Sequence, residues 1–257
     1  MPARSLEPHP VERVWGRRDL PAGYPSLGAG VPVGEIWFEA AADAPLLVKY
    51  LFSAERLSIQ VHPDDAAARA RGYPRGKDEA WFILEAEPEA RIGLGLTHEV
   101  SRDALRAAAL DGSIETLLDW RPVRAGELLY SPAGTIHAIG GGISLIEIQQ
   151  NLDLTYRLYD YGRPRELHLD EGVAVAVPGP WAPPPAADDD EVLAEGRAFR
   201  VERWRSGGHL DGPALIVPLV AAGTIDGAAL TTGMVWAVDG EAAIAGEGVD
   251  LLAAFPA

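Results

Sequence analysis

The chain of 257 residues contains no cysteine. Disulfide bonds, thiolate zinc sites and cysteine nucleophiles are therefore excluded, and a tightly held metal must use histidine, carboxylate or amide ligands. Basic residues are also scarce, because 22 Lys and Arg stand against 38 Asp and Glu, for a formal charge of −16. Nucleic acid and anionic membrane surfaces are thus poor partners, since the field of the chain repels both. An anionic small molecule is compatible with this charge, because a few converging cations can hold one phosphate locally.

Long apolar segments are missing as well. The first 20 residues contain no apolar core of a secretory signal, and no uninterrupted apolar run reaches the roughly 18 residues of a membrane span. Hydrophobic residues make up 47% and charged residues 23%, which is an ordinary globular mixture. The sequence therefore predicts a soluble cytoplasmic protein of one large or two compact domains.

Glycine (28) and proline (21) are plentiful, and they separate short runs that resemble strands more than long helices. Several runs alternate apolar and polar residues with period two, as half-buried antiparallel strands do. The runs lie at 34–39, 46–52, 57–62, 80–84, 91–96, 127–131, 136–139, 144–149, 199–204, 214–220 and 234–238. Many short strands between Gly and Pro turns predict an all-β sandwich or jelly roll.

Helices are predicted in two places only. Residues 63–71 begin with two aspartates that suit a helix N-terminus, and residues 101–120 form a helical insertion that begins at Ser101. A segment rich in proline and then in aspartate follows at 177–190. We therefore predict a first domain at 1–165, a connecting segment with a Pro-rich linker at 166–190, and a smaller β-rich domain at 191–257.

Four residues form a candidate metal site. Gln60 and His62 are two positions apart in a predicted strand, so their side chains point to the same face. Glu79 opens the next apolar strand, and His137 follows a turn-rich segment further along. An amide oxygen, two imidazoles and a carboxylate suit Zn²⁺ with open coordination positions better than a closed structural site. An isolated histidine in a strand usually makes only hydrogen bonds, so the prediction of a metal site depends on the four residues taken together.

The spacing around His137 resembles the second motif of the cupin superfamily. Gly126, Pro132, Gly134 and His137 occur in that order with gaps of five, one and two residues. We expect the glycine and proline turns to aim His137 across a barrel. The resemblance implies a cupin jelly-roll β-sandwich with a small helical insertion and a smaller, degenerate cupin-like C-terminal half.

Longer segments resemble the type I mannose-6-phosphate isomerase family in its short bacterial form. They cover roughly residues 14 to 170 in family order, at 14–20, 34–39, 46–52, 57–65, 76–84, 131–142 and 147–163. The resemblance implies an aldose–ketose isomerase that interconverts mannose 6-phosphate and fructose 6-phosphate through an enediol. It also implies one zinc ion per chain, with ligands at Gln60, His62, Glu79 and His137. Residues 191–257 lack recognisable ligands, which puts a complete second cupin domain in doubt.

The same resemblance implies which residues carry the reaction. It places the catalytic arginine at Arg157, and Glu147 keeps the ten-residue separation that the family's proposed base has from that arginine. Glu147 also lies among apolar residues, where partial desolvation raises the pKa of a carboxylate. Lys77 and Arg163 are candidates for binding the substrate phosphate.

Two alternative functions stay open. A metal-dependent cupin oxygenase would use iron, but Gln and Glu ligation differs from the facial triad of two histidines and one carboxylate. A non-catalytic sugar-binding or regulatory cupin would leave Arg157 and Glu147 without a role. The expected partner is a small sugar phosphate, and the sequence leaves both a monomer and a dimer open.

Overall fold

The computed structural model describes residues 3–185, 189 and 191–257. The N-terminal part consists of β1 (Ala3–Ser5), β2 (His9–Arg17), β3 (Val33–Phe38), β4 (Leu46–Ser53), β5 (Ile59–Val61), α1 (Asp65–Arg69), β6 (Glu79–Ala86), β7 (Arg91–Leu96), α2 (Arg102–Asp111), α3 (Ile114–Leu117), β8 (Leu118–Pro122), β9 (Leu128–Ser131), β10 (His137–Ile139), β11 (Ile143–Gln150), β12 (Tyr156–Tyr159) and α4 (Leu169–Val175). The C-terminal part consists of β13 (Val192–Glu195), β14 (Phe199–Trp204), β15 (Gly208–Leu210), β16 (Pro213–Pro218), β17 (Thr224–Ile225), β18 (Ala228–Ala229), β19 (Trp236–Asp239), β20 (Ala242–Ala245) and β21 (Leu251–Pro256).

These strands form four sheets, and every pairing between named strands is antiparallel. The first sheet has the order β2-β3-β4-β11-β6-β9, and the second has the order β12-β5-β10-β7-β8. The third sheet has the order β1-β19-β16-β21-β14-β13, and the fourth has the order β15-β20-β17-β18. The all-β prediction is confirmed, and so is a smaller β sandwich in the C-terminal half.

The sheets stack in layers, and a separate apolar cluster joins each neighbouring pair. The helices α2 and α4 cover the outer face of the second sheet through Leu105 and Val173. Trp81 and Leu94 belong to the cluster between the first and second sheets. The other face of the first sheet packs on the third sheet through residues such as Ile146. The C-terminal half therefore covers a surface of the first sheet that would otherwise expose apolar side chains to water.

Strands β4 and β11 are buried along their whole length because both faces of the first sheet are covered. This explains why 46–52 is an almost continuous apolar run instead of an alternating one. Ile146 and Ile148 face the third sheet, so Glu147 between them faces the second sheet. The topology thus directs a carboxylate into the interior between the first two sheets.

The helices agree with the sequence at their N-termini. Asp64 caps α1 by accepting a hydrogen bond from Ala67 N at 2.8 Å, and Ser101 caps α2 by accepting one from Ala104 N at 3.1 Å. The helical insertion at 101–120 is too long, however. It ends at Leu117, because the following residues form β8 and pair with β7, with Trp120 opposite Gly93.

Several further elements lie outside the predicted runs. They are the helix α4 and the strands β1, β2, β12, β13, β15, β17, β18, β20 and β21. β1 pairs with β19, so residues 3–5 belong to the sheet of the C-terminal half. The division into domains at 165 and 191 stays a prediction.

The Pro-rich segment lies partly against the second sheet. Val177 forms a bridge with Thr135, and Pro180 forms one with Gly95. The remainder of the predicted linker, at 186–188 and 190, lies outside the described residues. Within the described ranges, no helix is long and apolar enough to cross a membrane.

Candidate active site

A cavity of about 520 Å³ opens between the first and second sheets. Its lining contains equal numbers of cationic and acidic side chains, although the chain as a whole is strongly acidic. The cationic residues are Arg13, Lys49, Lys77, Arg157 and Arg165, and the acidic residues are Glu12, Glu35, Glu79, Glu147 and Asp153. Such a concentration of basic side chains suits an anionic ligand.

His62, Glu79 and His137 converge beside this cavity, and Glu79 lines it. Glu79 begins β6, His137 begins β10, and His62 directly follows β5, so three different strands bring them together. Gly134 adopts a left-handed φ of +88° in the turn before His137, which is a conformation that favours glycine. All three side chains are buried, and one donor atom from each lies within 4.8 Å of the others.

The hydrogen bonds of the two imidazoles fix which nitrogen faces this centre. His62 Nδ1 lies 2.9 Å from Leu154 O, and His137 Nδ1 lies 2.9 Å from Thr135 O. A carbonyl oxygen only accepts, so each Nδ1 carries a proton and each Nε2 presents a lone pair. The two Nε2 atoms lie 3.3 and 3.4 Å from the Glu79 carboxylate. This is the arrangement in which outer hydrogen bonds orient metal-ligating histidines.

The charges and unsatisfied atoms of this group fit a bound cation. Burial and the Lys77 charge lower the pKa of His62 to about 3, so its imidazole is neutral at pH 7. Burial acts to raise the pKa of Glu79, but Lys77 and the imidazoles hold it well below its ordinary value. In the described part of the chain, His62 Nε2 and Glu79 Oε2 are buried without a hydrogen-bond partner. Buried polar atoms are rarely left unsatisfied, so these donors suit a metal ion.

Gln60 lies beside this group but does not point its oxygen at it. Its amide Nε2 is 3.2 Å from His137 Nε2. Its Oε1 accepts a 3.3 Å hydrogen bond from Ser58 Oγ. Ligation through oxygen would need a half-turn of the amide group, a change that exchanges two atoms of similar size.

Lys77 lines the cavity, but its ammonium group is already engaged in an ion pair. Its Nζ lies 3.0 Å from Glu79 Oε1, and both side chains are buried. Burial acts to lower the pKa of Lys77, but Glu79 raises it above its ordinary value. Lys77 therefore holds the Glu79 carboxylate in its charged form.

Four side chains form a row across the inner face of the first sheet, which we call the proton row: Trp37, Lys49, Glu147 and Trp81. The strand register pairs Trp37 with Lys49, Lys49 with Glu147, and Glu147 with Trp81. Lys49 Nζ lies 3.4 Å from Glu147 Oε1 and 4.2 Å from the centre of the Trp37 ring. Trp81 Nε1 donates to Glu147 Oε2 at 3.2 Å.

Glu147 has an unusually high proton affinity for a carboxylate. Burial and the negative charge of Glu79 raise its pKa to about 7, while Lys49 and Lys77 act in the opposite direction. A carboxylate with a pKa near neutrality can both accept and donate a proton at physiological pH. Its burial results from its position on β11, between sheets that cover both faces of that strand.

Two arginines from one segment and one from β2 line the cavity. Arg157 pairs with Gln60 across β12 and β5, and its Nη1 donates to Glu166 O at 2.9 Å. Its buried Nε has no hydrogen-bond partner among the described residues. Burial and the charges of Arg165 and Arg13 lower the pKa of Arg157, so both of these arginines repel the Arg157 guanidinium. An anion placed there would relieve this repulsion.

Arg163 does not line the cavity. Its Nη2 lies 2.9 Å from Glu55 Oε2, and its Nη1 lies 3.3 Å from Asp160 Oδ1. Arg165 occupies the position that we expected for Arg163, and it contacts Asp160 through Nε at 2.5 Å and through Nη2 at 2.6 Å. Asp160 is buried and orients both arginines, so the side chain that reaches the cavity comes two residues later than predicted.

Sequence reasoning missed six charged residues of the cavity wall, which are Glu12, Arg13, Glu35, Lys49, Asp153 and Arg165. Lys49 and Glu35 each interrupt an apolar strand, and a charge inside such a run is a signal that could have identified them. Arg165 has no such signal, because its neighbours are polar. Arg13 lies on β2, which was not predicted.

Comparison with known proteins agrees with this geometry. The chain is 36% identical to a mannose-6-phosphate isomerase of Streptococcus mutans over 217 residues, which are 75% of this chain and 68% of that protein. It is 41% identical over 138 residues to mannose-6-phosphate isomerase ManA of Bacillus subtilis, covering 51% of this chain and 44% of that protein. No family model matches the chain.

The fold extends this similarity to nearly the whole chain. A crystal structure of mannose 6-phosphate isomerase from Bacillus subtilis superimposes with a TM-score of 0.81, covering 97% of this chain and 98% of that one at 26% identity. The C-terminal half is thus part of the common architecture, and the predicted cupin fold is confirmed. On its sequence similarity and its fold, the chain belongs to the mannose-6-phosphate isomerase family.

Proposed function

We propose that the protein interconverts mannose 6-phosphate and fructose 6-phosphate through an enediol, with a zinc ion as cofactor. One observation carries the proposal: Glu79 of a buried His–Glu–His group, a carboxylate with raised pKa and a group of arginines line the same cavity. Aldose–ketose isomerisation needs these three functions, which are an electrophile for two oxygens, a base for one proton and an anchor for the phosphate.

His62, Glu79 and His137 would hold the metal, with Gln60 as a fourth ligand after rotation of its amide. Two imidazoles, a carboxylate and an amide oxygen suit zinc, and the charge of Lys77 prevents Glu79 from taking up a proton instead. When bound, the ion would act as a Lewis acid that polarises the substrate's carbonyl and hydroxyl oxygens.

Glu147 is the proposed base. Its carboxylate would remove the proton from C2 of the aldose and return it to C1 of the enediol, while the hydroxyl proton on O2 passes to O1, which yields the ketose. Trp81 and Lys49 hold the two carboxylate oxygens in place, so the group is oriented before substrate binds.

Arg157 and Arg165 are the proposed phosphate anchors, with Arg13 contributing positive charge. The guanidinium of Arg157 has a free buried Nε, and its fork can bind two oxygens of one phosphate or the developing enediolate charge. Arg157 is therefore the catalytic arginine of this proposal. Arg165 replaces Arg163 in the phosphate role because only Arg165 lines the cavity.

The proposal is tested by incubating purified protein with mannose 6-phosphate and measuring fructose 6-phosphate, together with metal content. We expect turnover that depends on a stoichiometric divalent ion, with zinc as the native metal. Tight sugar-phosphate binding without turnover in the metal-loaded protein would instead favour the regulatory cupin.

Two neighbouring arginines provide a matched test of the phosphate anchor. We expect Arg165→Gln to raise KM for mannose 6-phosphate by about 10- to 100-fold, because a charge-assisted hydrogen bond is worth about 1.5–3 kcal/mol. Arg163→Gln removes the same charge and also breaks an ion pair with Asp160, but Arg163 does not line the cavity. Its KM should stay within about twofold of wild type. Equal effects of the two variants would show that Asp160, and not the phosphate, accounts for the loss.

A further inference from the structure

One acid beside the proton row, with its side chain 12% exposed, has no part in the mechanism above. Glu35 precedes Trp37 by two residues on β3, so the two side chains lie on the same face of the strand. Glu35 Oε2 accepts a hydrogen bond from Trp37 Nε1 at 2.7 Å and forms an ion pair with Arg13 Nη2 at 2.7 Å. Both contacts fix the carboxylate at the end of the proton row.

Glu35 is anionic and acts on Lys49. Burial acts to raise its pKa, but the charges of Lys49 and Arg13 and the indole hydrogen bond hold the pKa below its ordinary value. The Lys49 ammonium lies over the ring of Trp37, the residue that donates to Glu35. Lys49 is therefore attracted in two directions, towards Trp37 and Glu35 on one side and towards Glu147 on the other.

We infer that Glu35 is a positioning residue, which shares the Lys49 ammonium with Glu147 and thereby sets how strongly Glu147 holds its proton. The inference rests on the proposed role of Glu147 as the base. Glu35 does not touch the reacting atoms in this account. It acts through Lys49 and through its own negative charge, and both effects favour the protonated form of Glu147.

The charges that face Glu147 come from three strands and one loop. Lys49 lies on β4, Glu79 on β6, Glu35 on β3, and Lys77 in the segment before β6. The two acids favour the protonated form of Glu147, and the two lysines favour the ionised form. A cation held by Glu79 would cancel the contribution of Glu79. Glu35 would then be the one acid of this set that still favours the protonated form of Glu147, which makes Glu147 a stronger base.

The test is the pH dependence of kcat/KM, which reports the base of the free enzyme. The base must be ionised, so activity falls as the pH drops through its pKa. We expect the acid limb of wild type between the ordinary glutamate value of 4.5 and about 7. Glu35→Gln keeps the size and an acceptor for Trp37 but removes the charge, so this limb should move down by about 0.5–1 pH unit.

Four companion variants separate positioning from folding. Glu35→Asp keeps the charge and should return the limb to within about 0.3 units of wild type, while Glu35→Asn is a second neutral variant should Glu35→Gln fold poorly. Asp250→Asn breaks the ion pair with Arg203 (2.7 Å) in the C-terminal half and should leave the limb unmoved. In a Lys49→Met background, Glu35→Gln should shift the limb less than in wild type, because the path through Lys49 is lost.

A readout without turnover completes the test. Difference infrared spectroscopy of the ¹³C-labelled carboxyl groups, with Glu147→Gln as the blank, titrates Glu147 directly and should show the same downward shift. If the wild type is active but Glu35→Gln changes neither the acid limb of kcat/KM nor the infrared titration of Glu147, this inference is overturned and the proposed function stands. An inactive wild type would instead remove the proposed function, and the infrared titration would still decide whether Glu35 acts on Glu147.

Discussion

Glu147→Gln is expected to lower kcat by about 10²–10⁴ and to change KM little, which is the range for loss of a general base. Glutamine has the same size, and its amide oxygen can still accept the hydrogen bond from Trp81 Nε1. It has no ionisable proton and no charge, so proton transfer is lost together with the ion pair to Lys49. The direct measurement is exchange of the substrate's C2 hydrogen with solvent, followed by NMR in deuterium oxide.

A matched control lies on the next strand of the same sheet. Glu85 on β6 is 64% exposed and pairs with Arg17 at 3.7 Å, away from the cavity. Glu85→Gln should exchange and turn over at the wild-type rate. If Glu147→Gln also exchanged the C2 hydrogen at that rate, Glu147 would not be the base.

Removal of one imidazole from the metal group should have an effect at least as large. His137→Ala is expected to lose stoichiometric metal and to lower activity by more than about 10³-fold, since both the ligand and the orienting bond to Thr135 disappear. Far-ultraviolet circular dichroism should stay close to wild type, because most of the interior around His137 is apolar and surrounded by sheet. Metal content is measured by inductively coupled plasma mass spectrometry.

His209 provides the comparison for this variant. It lies exposed on β15 in the C-terminal half and belongs to no cluster of potential ligands in the described ranges. His209→Ala should keep both metal and activity. Full metal content in His137→Ala would contradict the proposed ligand set, whatever happened to the rate.

The candidate site residues that could be predicted from the sequence are those whose neighbours along the chain indicate their role. Gln60 and His62 share a strand face, and the turns before His137 show a recognisable spacing, so these residues could be identified without coordinates. Glu147 was identified by its apolar neighbours and by its ten-residue separation from Arg157, which the family resemblance implies. In each case the informative residues lie within about ten positions of the functional one.

The residues that were missed depend on contacts between distant segments. Arg13 reaches the cavity because β2 adds to the edge of the first sheet, and its sequence contains proline and few strongly strand-forming residues. The choice between Arg163 and Arg165 depends on how the loop after β12 folds around Asp160. Spacing alone cannot resolve a difference of two positions in an irregular loop.

The pairing of β1 with β19 also determines how the two halves can move. The chain crosses between the catalytic and C-terminal sandwiches twice, once after Ser5 and once after α4, and an apolar layer fills the interface. Two crossings with a packed layer between them leave no single hinge about which one half could swing away from the other. We therefore expect substrate to enter and leave the cavity between the first and second sheets without relative movement of the two halves. Fluorescent labels placed on the two halves should accordingly report one constant distance throughout turnover.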